Sequence, residues 1–84
     1  MKTLVNIETG KLNEFLNFYP CMNFQSQASK EVYELIEKEL SEEIKNSPEF
    51  WCSEFSINNE TFVIAADGEI NSSGRYVVAK ITEE

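Results

Sequence analysis

The sequence predicts an α+β fold: a two-layer sandwich in which a three- to four-stranded, mainly antiparallel sheet is covered by one long amphipathic helix. Three observations carry this expectation. Apolar residues recur with a helical period across 27–46, the period falls to two after Pro48, and Asn58-Asn59 joins two alternating runs. With 84 residues and no internal repeat, the chain is expected to form a single small acidic domain over 1–84.

The elements are expected in the order β-α-α-β-β-β. Lys2 to Glu8 alternates around Leu4, Val5 and Ile7, a short strand interrupted at Thr9-Gly10. Leu12, Phe15, Leu16 and Tyr19 recur at helical spacing, which suits a short helix ended by Pro20. The segment 18–24, with Phe18, Tyr19, Pro20, Cys21, Met22 and Phe24, is an unusually apolar loop. Such a loop either closes over the end of the core or offers a contact patch.

The long helix spans 27–46. Ala28, Val32, Leu35, Ile36, Leu40 and Ile44 make its buried stripe, with Tyr33 at the border. Ser26 or Ser29 caps it, Glu31 faces the positive end of the dipole, and Glu34–Lys38 is a favourable pair one turn apart. Glu39 and Glu43 form a like-charged pair at the same spacing, which suits either a partner's cation or plain solvation. The helix stops near Asn46-Ser47-Pro48, because the residue before proline avoids helical angles.

Beyond Pro48, Trp51, Ser53, Phe55 and Ile57 alternate with Cys52, Glu54 and Ser56. A two-residue Asn58-Asn59 turn places Phe55 opposite Phe62, Ser53 opposite Ile64 and Trp51 opposite Ala66. Asp67-Gly68 and Ser72-Ser73-Gly74 bracket a connection, and Arg75 to Thr82 is the last strand. The first strand is expected to pair with an edge of this meander.

Composition removes several classes of chemistry. Fifteen acids against seven bases give a net charge of −8, and histidine is absent. Without histidine there is no Ser-His or Cys-His nucleophile pair and no imidazole metal ligand. A pI near 4.4 opposes direct contact with nucleic acid or anionic membranes. The start of the chain carries no apolar run long enough for a signal peptide, so Cys21 and Cys52 are expected to be reduced thiols in a cytoplasmic protein. Asp67-Gly68-Glu69-Ile70-Asn71 echoes the middle of a calcium loop, but Val63, Ala65 and Gly74 occupy positions that need oxygen ligands. No cofactor or metal is expected.

The charge is unevenly placed. Segment 27–46 carries six Glu against three Lys, and 47–74 carries Glu49, Glu54, Glu60, Asp67 and Glu69 with no base. Carboxylates one helical turn apart lie about 5–6 Å from each other, within roughly a factor of two of the 3.4 Å phosphate rise along a DNA strand. The expected function is therefore a non-enzymatic inhibitor that blocks a basic, nucleic-acid-handling partner by charge mimicry. That partner would be a nuclease, a polymerase, a nucleoprotein effector or a toxin. Glu31, Glu34, Glu42, Glu54, Glu60, Asp67 and Glu69 would supply the charge, and Tyr19 and Met22 the apolar anchors. In size, charge and α+β layout the chain resembles the small acidic inhibitors that phages and mobile elements make against host enzymes, and equally acidic immunity proteins and antitoxins. The resemblance implies an anti-defence or toxin-blocking role. The other reading is a structural or assembly module whose acidity serves solubility, with an edge strand such as Arg75–Thr82 pairing in a homodimer.

Overall fold

A computed structural model describes residues 1–19, 24–70 and 72–83. The chain runs β1 (Lys2–Lys11), α1 (Leu12–Phe18), β2 (Phe24–Gln27), α2 (Lys30–Glu37), α3 (Glu42–Lys45), β3 (Trp51–Ile57), β4 (Glu60–Ala66) and β5 (Arg75–Glu83). The four longer strands form an antiparallel sheet, and the short β2 adds to it beside β3, giving the spatial order β1-β5-β4-β3-β2.

The β3–β4 hairpin has the register that its side-chain alternation dictates. Phe55 lies opposite Phe62, Ser53 opposite Ile64 and Trp51 opposite Ala66. Asn58 and Asn59 take the left-handed backbone this tight turn needs, at φ 52 and 67. β1 pairs with β5, as expected of the first strand. β1 is not broken at Thr9-Gly10, however, and runs on to Lys11. Gly10 stands opposite Tyr76, and a Cβ there would come within 2.8 Å of the tyrosine hydroxyl. This glycine marks a close approach of a ring to the strand and not a stop. The real irregularity lies earlier, where the register shifts between Val5 and Glu8 and Asn6 adopts φ 56.

The sheet is apolar on both faces, so two layers do not suffice. On one face Val63, Ala65, Val77 and Ala79 pack against Val32, Ile36, Leu40 and Ile44 from α2 and α3. On the other, Phe55, Ile64, Ala66, Tyr76 and Val78 pack against Leu12 and Phe15 from α1. Phe15 sits at the centre of the second core, with ring centroids 4.9 Å from Tyr76 and 6.0 Å from Phe55, both edge to face. Each fully buried Val, Ile or Phe side chain contributes about 1.5–3 kcal/mol.

The single long helix over 27–46 is overturned. Helical backbone ends at Glu37, where short-range bonds from Glu39 N to Ile36 O (2.9 Å) and Leu40 N to Glu37 O (3.2 Å) tighten the chain. Ser41 is extended, and its hydroxyl accepts from Ile44 N at 3.3 Å, so it caps a separate short α3. The apolar stripe survives the break, because Val32, Ile36, Leu40 and Ile44 all remain buried. What the pattern could not reveal was that Ser41 caps a new helix where a continuous one would carry it on its solvated face. Glu43, in α3, pairs with Arg75 at 2.7 Å.

A second correction concerns the sheet edge. β5 is paired on both sides, by β1 and β4, so Arg75–Thr82 offers no edge to a second copy.

Candidate functional site: an acidic helix layer and its groove

Ser29 begins the layer that carries most of the charge. Its hydroxyl accepts from Val32 N at 3.4 Å, and its own N–H donates to the Glu54 carboxylate at 2.9 Å. That carboxylate therefore fastens α2 to β3 and is half-buried. From there, Glu31, Glu34, Glu37, Glu39, Glu42 and Glu43 all point into solvent, against Lys30, Lys38 and Lys45. Glu42 is paired with Lys45 at 3.3 Å and Glu43 with Arg75. Glu31, Glu34 and Glu39 have no ion-pair partner among the described residues. Glu31 and Glu34 share a shallow depression with Lys2, Leu35 and Lys38, so the charge there is mixed.

The layer continues around one end of the sheet. Arg75 joins α3 to the segment after β4, with Glu43 at 2.7 Å and Asp67 at 3.4 Å. Asp67 also accepts the Arg75 backbone N–H, and only 11% of its side chain is exposed. Its carboxylate is thus spent on holding the loop. Ser47 donates to the Asp67 carbonyl at 3.4 Å, and the Trp51 indole donates to Gly68 O at 2.6 Å. These bonds hold the turn at 67–68 against the segment 47–51; Glu49, before β3, and Glu69, in the loop after β4, are both exposed and without an ion pair among the described residues.

Of the residues expected to bind a partner, Glu31, Glu34 and Glu42 lie on the helices of one layer, whereas Glu69 is exposed in the loop after β4. Glu60 lies at the opposite end of β4 from Asp67, where Lys80 holds it at 3.0 Å. Tyr19 packs on the other face of the sheet, ring-stacked on Phe15 at 4.9 Å, with its hydroxyl donating to Glu8 at 2.8 Å. The sheet separates Tyr19 from the helix carboxylates, and one flat partner cannot touch both. Met22 and Cys21 lie outside the described residues.

An apolar feature does lie on the acidic side, and sequence reasoning passed it over. A groove of about 490 Å³ is lined by Gln27, Ala28, Lys30, Tyr33, Phe50, Trp51 and Cys52. Tyr33 and Phe50 meet edge to face at 6.2 Å. Burial, and then the charge of Glu54, push the Cys52 thiol up to about 11, so it stays protonated near neutral pH and is a weak nucleophile. The signal was present in the border position of Tyr33 and in the Phe50-Trp51 pair, but only the fold shows that they meet. No helix among the described residues is long and apolar enough to cross a membrane.

Compared with protein-family models, curated proteins and solved structures, the chain matches none.

Proposed function

We propose that this chain is a non-enzymatic inhibitor that seats its acidic helix layer on the basic cleft of a nucleic-acid-handling protein. One observation carries the reading. Six exposed glutamates lie within 30–45 on the helix layer, and Glu49 and Glu69 are exposed in the segments that flank β3 and β4. Long-range attraction speeds encounter with a cationic cleft, and exposed carboxylates on a rigid helix layer need little reorganisation to replace phosphates. On this reading the protein acts in a reducing cytoplasm and does not itself touch nucleic acid or membrane.

The test is affinity capture with the immobilised chain at low and high salt, beside a variant carrying Glu31→Gln, Glu34→Gln, Glu49→Gln and Glu69→Gln. The expected result is a basic nucleic-acid-handling protein held at low salt, released at high salt and lost by the variant. Capture that ignores both salt and charge removal contradicts the proposal.

A second reading, an assembly module, draws on β1, which forms an edge of the sheet and exposes Val5 and Ile7 by 39% and 41%. The Asn6 irregularity blunts that edge against continuous strand pairing, as bulges do. A salt-insensitive homodimer in sedimentation would favour this reading over the first.

A further inference from the structure

We draw no further inference here: the strongest candidate, the aromatic groove between the start of α2 and the start of β3, holds a single ammonium, from Lys30, and no carboxylate among the described residues of its lining, and nothing in the structure shows what covers it.

Discussion

Asn58 and Asn59 show how much a single residue type can decide. Both hold positive φ, a region that costs most side chains roughly 1–2 kcal/mol and asparagine less. Tyr19 sets a different limit. Burial, and then its bond to Glu8, push its hydroxyl up to about 12 from an ordinary 10.0. A pKa raised by folding means that the neutral form is favoured in the folded state. Its contribution is fully present below pH 10 and is lost as pH rises toward 12. Chemical denaturation across that range should show wild-type stability falling with a steeper slope than Tyr19→Phe, which has no proton to lose. At pH 7 the variant should be less stable by up to about 1 kcal/mol for the missing hydrogen bond. Parallel pH profiles would refute the assignment. Cys52 can be checked by alkylation in a Cys21→Ser background. A thiol held near 11 should react far more slowly at pH 8 than a free cysteine, and a rate equal to that of a free thiol would contradict the burial.

The α2–α3 break can be tested directly, because the two architectures predict opposite signs. In a continuous helix, Ser41→Ala would improve helix propensity and raise stability. As the cap of α3, Ser41 accepts from Ile44 N, and its loss should cost about 1 kcal/mol. Thermal unfolding decides between them: a lower Tm supports the break, and a higher one denies it. The same element shows what was legible beforehand. Alternation and the Asn-Asn turn determine the hairpin register, because a slip by one residue would turn Phe55 and Ile64 away from their core. The burial of Val32, Ile36, Leu40 and Ile44 was equally readable from their spacing. The break at 38–41 was not, since those residues keep their helical phase across it. Nor was the position of β5 in the interior of the sheet, because strand pairing between distant segments leaves no local mark in the sequence. The groove is a third case: Tyr33 and Phe50 are separated in the chain, and only the packing of α2 over the sheet brings them together.

At the scale of the molecule, the largest aromatic cluster and the glutamates of the helices lie on different sides of one sheet. The Phe15, Tyr19, Phe55 and Tyr76 rings fill the side covered by α1, while the exposed glutamates of α2 and α3 coat the other. Several acids are already committed to internal work: Asp67 and Glu43 on Arg75, Glu60 on Lys80, Glu54 on Ser29 N. Removing these should destabilise the fold, whereas removing Glu31, Glu34, Glu49 and Glu69 should spare it and even relieve repulsion in a chain of net charge −8. That division allows binding to be separated from folding. The most direct measurement is the salt dependence of affinity for a captured basic partner, wild type against the quadruple Gln variant, both confirmed folded. An adhesive acidic layer predicts a steep loss of wild-type affinity with rising salt and a much weaker, shallower binding curve for the variant. Superimposable curves for the two proteins would contradict it.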